Sequence, residues 1–459
     1  MCSLFCHRKV NYKLNLKMKK MKTKNLLLIS ALCVGIAGGF TSCKKDDKKT
    51  PDPVDPTPTP TPSNVVTVTD NGSGTGTTTW TNDKVYLLDG FVFVNSGQEL
   101  TIQAGTVIKG KPGTGSNASA LIVAKGGKIN AVGTPTQPII FTFEADPLNG
   151  SVPLSTSGQW GGVMILGNAT LNSTPGTSAI EGIPTTETRG IYGGSNDADN
   201  SGVFKYVSIR HGGTDIGAGN EINGLTMGGV GSGTTIEYVE VVGNADDGFE
   251  WFGGTVNTRY LVASNGDDDS FDYDEGFRGK GQFWLAIQNA DADRGGEHDG
   301  GTTPEDGMPY ATPKVFNATY IGNGTSRLLT FRDNAGGEYH NSIFHNFGKG
   351  IDVEDLASGE DSKNRLDNGQ LKFDGIVLSN IGSDLIVSAV ENAGADLSTH
   401  ASVTNLTVQN VAISATNPIP SGLAAGAAPI DPWYTNVTYK GAFEPGGANW
   451  AQGWTLTFP

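Results

Sequence analysis

The sequence predicts an all-β solenoid of stacked parallel strands, a parallel β-helix, on three observations. Short β-rich runs of three to six residues recur from Val65 onward, with Gly, Asn and Asp between them. No amphipathic helical stretch interrupts them. The runs also repeat: Glu237–Asn244, Arg259–Asn265 and Phe283–Asn289 each read as a strand closed by Asn, and those Asn residues are 21 and 24 positions apart. Many short strands fit a sandwich, barrel, propeller or β-helix, and a period of 20–25 residues selects the last. Each rung then supplies strands and turns, and only stacking buries the core. Phe204–Ile209 and Val315–Ile321 read as further copies. Asn at a strand end tolerates the left-handed turn conformation and can ladder with the Asn of the next rung.

Ahead of the solenoid lies an address. Of 459 residues, 32 are Lys or Arg and 47 are Asp or Glu, for a net charge of −15. Residues 1–42 hold eight basic residues and no acidic one, so the remainder carries −23. A body that acidic excludes nucleic acid as a partner, because phosphate binding needs a basic face. The basic stretch Met18–Lys24 precedes an apolar run of 14 residues, Leu26–Gly39, too short to span a bilayer but right for a signal-peptide core. Residues 1–42 are therefore read as a signal peptide, with Met18 or Met21 as the true start. Phe40-Thr41-Ser42-Cys43 resembles the lipobox of bacterial lipoproteins, which usually has Leu where Phe40 stands. The resemblance implies that Cys43 is lipidated; the other reading is an ordinary cysteine after a cleaved signal or a membrane helix. The four Cys are Cys2, Cys6, Cys33 and Cys43, so the mature body has neither a disulfide nor a thiol nucleophile.

Residues 43–64 form a tether. Its Pro/Thr run is an extended spacer of about 3.1 Å per residue that holds the body, residues 65–459, away from a membrane. The charged run Lys44–Lys49 is similar to surface-export signals of lipoproteins in some Gram-negative lineages, which implies an outer-membrane lipoprotein displayed at the cell surface. Read as a solvated charge run, it leaves the periplasmic face open.

The family resemblance rests on particular segments. Leu100–Gly110, Ala120–Phe141, Gly158–Ala169 and Asn244–Gly254 resemble right-handed parallel β-helix lipoproteins of Gram-negative, Bacteroidota-type bacteria. So does the end of the chain, from Tyr439–Pro445 through Trp450–Thr455. The resemblance covers roughly residues 65–459 and implies a right-handed parallel β-helix with capped ends on a secreted or surface protein. It implies no particular activity. Trp433, Phe443, Trp450 and Trp454 crowd the last 30 residues. They are expected to cover the apolar end of the solenoid, where an open rung exposes strand edges; a glycan-stacking platform is the other reading.

One constellation carries chemistry. Residues 237–307 hold 17 Asp and Glu against four Lys and Arg. The acids follow the repeat Asn residues: Asp246 and Asp247; Asp267, Asp268 and Asp269; Asp291 and Asp293. Stacked at about 4.8 Å, two such carboxylates repel by roughly 3 kcal/mol at an effective dielectric near 20. Three outcomes are open. Bound Ca²⁺ suits carboxylate and carbonyl oxygens; Arg259, Arg278, Lys280 and Arg294 could neutralise the row as ion pairs; or the row is a solvated acidic face. A second candidate, Asp197-Ala-Asp199-Asn-Ser-Gly202, matches the start of a calcium-loop pattern, but Ser208 stands at the twelfth position where an EF-hand has Glu. An Asx turn explains the same residues. In Asn289-x-Asp291-x-Asp293, Arg294 replaces the Gly of that pattern.

Enzyme motifs mostly fail: there is no H-E-x-x-H, no G-x-S-x-G and no P-loop. The fold is shared with pectin-type lyases and polygalacturonases. Asp246-Asp247 and Arg278-Gly-Lys280 match parts of a polygalacturonase-like set, but Gly-His-Gly is absent, and His211 reads better as the end of a rung turn. The sequence therefore points to a non-enzymatic binding or structural surface module for a glycan or envelope component, stabilised by Ca²⁺. The alternative is a polysaccharide lyase or glycoside hydrolase using the acidic segment 244–275.

Overall fold

The computed structural model describes residues 64–459, apart from 181, 185, 218–219 and 383–396, all within the unit Pro60–Pro459. The signal segment, Cys43 and the tether up to residue 63 lie outside the described residues.

The chain is a right-handed parallel β-helix. Among the described residues, nine strands stack in parallel into one face, from Phe91–Val94 through Leu225–Gly228, Phe249–Phe252, Phe271–Asp274, Arg294–Asp299 and Arg327–Arg332 to Lys349–Val353. The remaining rung strands form a 19-stranded sheet that bends into two more faces. Thr235 pairs with Asn257 and Thr258 with Gly281, a period of 22 and then 23 residues. The copies read at Phe204–Ile209 and Val315–Ile321 fall in this same stack.

The Asn repeat mixes two positions. Val242 pairs with Ser264 and Ser264 with Ile287. The next slot is therefore Gly243, Asn265 and Gln288, and only the one after it holds Asn244, Gly266 and Asn289. Gly243 and Asn265 both have positive φ, at 64° and 55°. A Cβ on Gly243 would lie 2.4 Å from the carbonyl of Thr156, so this rung needs Gly where the next accepts Asn. Asn244 does other work: its amide donates to the carbonyls of Ile222 and Asp247, both at 2.9 Å.

The bend between the two faces of the large sheet is also a left-handed corner. Tyr206, Tyr238, Tyr260 and Phe283 occupy it in four successive rungs, with φ of 50–60°. Such a conformation costs a bulky residue about 1–3 kcal/mol. The four rings stack on one another at 4.4, 4.2 and 4.8 Å, which offsets part of that cost. Later rungs place Asn317, Asn341, Gly375 and Asn405 at this bend, all with positive φ.

The interior is one continuous apolar column in which Phe249 stacks on Phe271 and Trp251 on Trp284. The C-terminal aromatics do not close its end. The segment after the last strands runs back along the outside of the large sheet. Val411 and Ile413 pack on Ile321, Ile343 and Val377. Further on, Phe443, Ala451 and Phe458 pack on Val262, Phe283 and Leu285, while Trp450 and Trp454 stand edge-on to Tyr238. The apolar surface that needs covering is thus the outer side of strands Asn257–Ser264 and Lys280–Ile287, which are buried on both faces, as parallel sheets generally are. The expected cap is a side cover over the middle rungs.

Candidate metal centre and acidic cleft

The nine-stranded face carries the acids. In Phe249-Glu-Trp-Phe252 and Phe271-Asp-Tyr-Asp274, strand alternation sends the aromatic rings Phe249, Trp251, Phe271 and Tyr273 into the column. It turns Glu250 and Asp272 outward. The register pairs Glu250 with Asp272, and Asp272 with Glu297. The turn before each strand adds Asp246-Asp247 in one rung and Asp268-Asp269 in the next. These stack as the spacing predicts: the amide of Asp269 donates to Asp247 Oδ1 at 3.1 Å.

Among the described residues, they line a cavity of about 620 Å³ walled by thirteen carboxylate residues and a single basic one, Arg332. The strand floor is flanked by the chain around Ser178–Tyr192 and by the 301–305 loop. Glu275 anchors the first wall, accepting hydrogen bonds from Ser173 and Tyr192 at 2.7 and 2.8 Å. Asn172 ties this wall to the other loop by donating to Gly300 O at 2.7 Å.

Charge in the cleft is poorly compensated. Burial, reinforced by Asp246, Asp272 and Asp269, pushes the Asp247 carboxyl well above the usual range. Burial and the neighbouring Asp247 and Asp246 do the same to Glu250, and burial with Glu250 and Asp299 to Asp272. Asp269 is raised by burial against the opposing pull of Arg294. Burial also lifts Asp274 to about 6 and, with Asp299 and Glu354, lifts Asp333 to about 7. Two arginines reach the rim. Arg294 contacts Asp293, Glu297 and Asp269 at 2.6, 3.3 and 3.4 Å. Arg332 pairs with Asp299 at 2.7 Å and Glu297 at 3.0 Å. Among the described residues, neither arginine pairs with Asp247, Glu250 or Asp272.

Among the described residues, three groups of carboxylates have ligand atoms all within 4.8 Å of one another: Asp246, Asp247 and Asp268; Asp247, Glu250 and Asp272; and Asp268, Asp269 and Asp293. Two oxygens that each lie about 2.4 Å from one Ca²⁺ are at most about 4.8 Å apart, so this spacing fits calcium. The donor set fits as well. Asp269 Oδ1 and Asp272 Oδ1 are buried with no hydrogen-bond partner. So is the amide oxygen of Asn223, whose Nδ2 donates to Glu250.

Five of the nine predicted ligands are therefore brought together: Asp246, Asp247, Asp268, Asp269 and Asp293. Four are not. Asp267 accepts from Ser157 Oγ at 2.5 Å and Asn289 Nδ2 at 3.0 Å. Asp291 is exposed, with its amide donating to Asn289 Oδ1 in an Asx turn. Asp197 accepts from the amide of Thr170 and pairs with Arg278, and Asp199 accepts from the amide of Asn168. Of the basic residues that could neutralise the row, only Arg294 reaches it. Arg259 pairs with Glu237, and Lys280 with Asp431. Glu250, Asp272 and Asn223 are absent from the sequence prediction. The available signal was period-two alternation of acid and aromatic in 249–252 and 271–274.

Residues 72–455 match the model of a pectate-lyase-like β-helix domain. The chain belongs to that family. The match spans most of the chain and agrees with the fold built from its strands. No curated protein and no solved structure matches it significantly.

Parts of a polygalacturonase-like set are also dispersed in this family member. Arg278 and Lys280 turn to different partners outside the cleft. His211 is buried at a positive-φ position with Nδ1 2.8 Å from the carbonyl of Thr156. Only Asp246-Asp247 faces the cavity.

Proposed function

We propose that this protein is a lipid-anchored, surface-displayed β-helix module that binds Ca²⁺ in its acidic cleft and, through the loaded cleft, a polysaccharide or envelope component, without cleaving it. One observation carries the cation reading. Asp247, Glu250 and Asp272 converge within 4.8 Å in the cleft, and no described basic residue pairs with them. Like charges that close to one another are unfavourable unless protonated or bridged, and a hard divalent cation bridges them. With Ca²⁺ bound, these side chains would hold the ion, and its charge would reduce the cleft's repulsion for anionic ligands.

Binding is favoured over catalysis by the state of the arginines. A lyase of this fold needs a base beside the ion, and an arginine serves only if its proton can leave. Arg294 and Arg332 are each held by two or more carboxylates, which push their pKa up. The anchor and surface placement rest on Cys43 and the tether.

The test is a panel of neutral and acidic polysaccharides incubated with the purified protein in Ca²⁺ and in chelator. Retention that needs Ca²⁺, with no new chain ends, is expected. New chain ends abolished by Asp272→Asn would replace this reading with the enzymatic one. No retention on any polymer would leave a structural or protein-binding role.

A further inference from the structure

We infer that a groove on the outer side of the large sheet, at its last rungs, binds an acidic saccharide unit without a metal, with the Lys372 ammonium taking the anionic group. This rests on reading the protein as a glycan binder and adds a second site, a ligand class and a mode of recognition that needs no cation.

The groove has a volume of about 500 Å³, within the range of small-ligand sites. Its floor is built on regular strands. Gly337–His340 and Leu371–Asp374 pair in parallel, and Tyr339, Leu371 and Phe373 pack into the column. Strand alternation leaves Glu338, His340, Lys372 and Asp374 on the outer side. The walls are Asp367, Asn368 and Gly369, where the short helix Ser362–Asp367 ends, and Ser402 and Thr404.

Charge here is the reverse of that in the acidic cleft. Each carboxylate of the groove already has donors. Glu338 pairs with Lys314 at 2.9 Å and lies 2.8 Å from His340 Nε2. Asp374 accepts from Thr404 Oγ1 at 2.6 Å and Asn405 Nδ2 at 2.8 Å. Asp367 pairs with Lys363 at 2.6 Å and lies 2.9 Å from His400 Nε2. The unspent group is a cation. The register neighbour of Lys372 is Glu338, which Lys314 and His340 already hold. Among the described residues, the Lys372 ammonium has no hydrogen bond or ion pair, and its stem passes Gly369, where a Cβ would meet Cε at 3.5 Å.

A second observation points the same way. Lys440 is 5% exposed, lies within the field of Asp374, and among the described residues forms no ion pair. Lys314, Lys363, Lys372 and Lys440 thus stand against Glu338, Asp367 and Asp374, an excess of one positive charge with both histidines neutral. The neutral groups suit a sugar ring. Thr404 and Ser402 spend their hydroxyl protons on Asp374 and on the carbonyl of Leu366, which leaves their oxygens as acceptors. Asn368 adds an amide with both donor and acceptor. An inorganic anion would engage Lys372 and leave these groups and most of the volume unused.

The experiment is titration calorimetry of the purified protein in chelator with trigalacturonate and with maltotriose as a neutral trisaccharide, circular dichroism confirming the fold of each variant. Trigalacturonate is expected to bind, and to bind more weakly as salt rises. Lys372→Gln should weaken it by about tenfold or more, Lys372→Arg should retain it, and Asp272→Asn in the cleft should leave it unchanged. Asn368→Ala, at an exposed wall position, should also weaken it and reports on the same groove should Lys372→Gln misfold. Equal binding of maltotriose overturns the acidic class, and displacement by equimolar sulfate overturns the saccharide. Binding that both Lys372→Gln and Asn368→Ala leave intact overturns the site. No binding in chelator also overturns it; binding that then appears in Ca²⁺ and is lost in Asp272→Asn leaves the cleft reading standing, and none in either condition counts against both.

Discussion

Two faces of the same middle rungs bury carboxylates in opposite ways. On the covered side, Glu240 is fully buried and fully satisfied. It accepts from the amides of Leu456 and Thr457 at 2.8 Å each, from Thr457 Oγ1 at 2.7 Å and from Ser208 Oγ. Four donors meet one ion, and the acid holds the C-terminal cover on the sheet. On the open side, Asp247, Glu250 and Asp272 are crowded by other acids and receive far fewer donors. A buried charge is stable only with partners. The chain supplies them on one face; on the other, the proposed cation would supply them. That difference is what the proposed binding role rests on.

The largest effect expected from breaking this contrast is on the closed side. Glu240→Ala orphans the amides of Leu456 and Thr457 and should destabilise the protein by about 3 kcal/mol or more. Limited proteolysis should then release the segment after residue 433 first, whereas an intact cover would show that the apolar contacts of Phe443 and Phe458 hold it alone.

Ca²⁺ comes next. At a concentration about a hundredfold above its Kd, an ion that binds only the folded chain stabilises it by about 2.7 kcal/mol. Thermal melts should shift upward by several degrees in Ca²⁺ and fall back in chelator. Equal melting in both would remove the cation from the account.

The open side should respond to neutralisation in the opposite sense to Glu240. In chelator, Asp272→Asn relieves repulsion and should stabilise by about 1 kcal/mol; in Ca²⁺ the same variant should lose the metal-dependent gain. Destabilisation in both conditions would mean that Asp272 is a structural acid like Glu240.

The smallest effect is a pH dependence. Asp333, raised to about 7 by burial first and then by Asp299 and Glu354, binds its proton more tightly folded than unfolded. Its contribution is therefore complete at low pH, near the ordinary carboxylate value of 3.8, and is lost as pH rises through about 7. In chelator, Asp333→Asn should raise the Tm at pH 8 by about 1–3 °C and change it little below pH 4. A uniform shift at both values would reject the titration.

The sequence carried the fold further than the site. The rung period was legible because each rung repeats the same burial problem, and strands near 237, 259 and 283 do stack in parallel. The Asn register was off by one at Asn265, because Gly and Asn both serve a left-handed slot and spacing alone does not separate slot from neighbour. Asp246, Asp247, Asp268 and Asp269 stood out as acidic turns. Glu250 and Asp272 were hidden among aromatics, where an outward acid in a strand with a buried face looks like ordinary alternation. The side cover was illegible for another reason. Trp450 and Trp454 announce that something apolar is covered, but which surface it is depends on contacts with residues some 200 positions earlier in the chain, such as Tyr238.

The most direct measurement is X-ray diffraction from crystals grown in Ca²⁺, with anomalous data collected at long wavelength. The account predicts an anomalous peak within about 2.3–2.6 Å of oxygens from Asp247, Glu250 and Asp272. Carboxylates paired through shared protons or ordered water, with no peak between them, would contradict it.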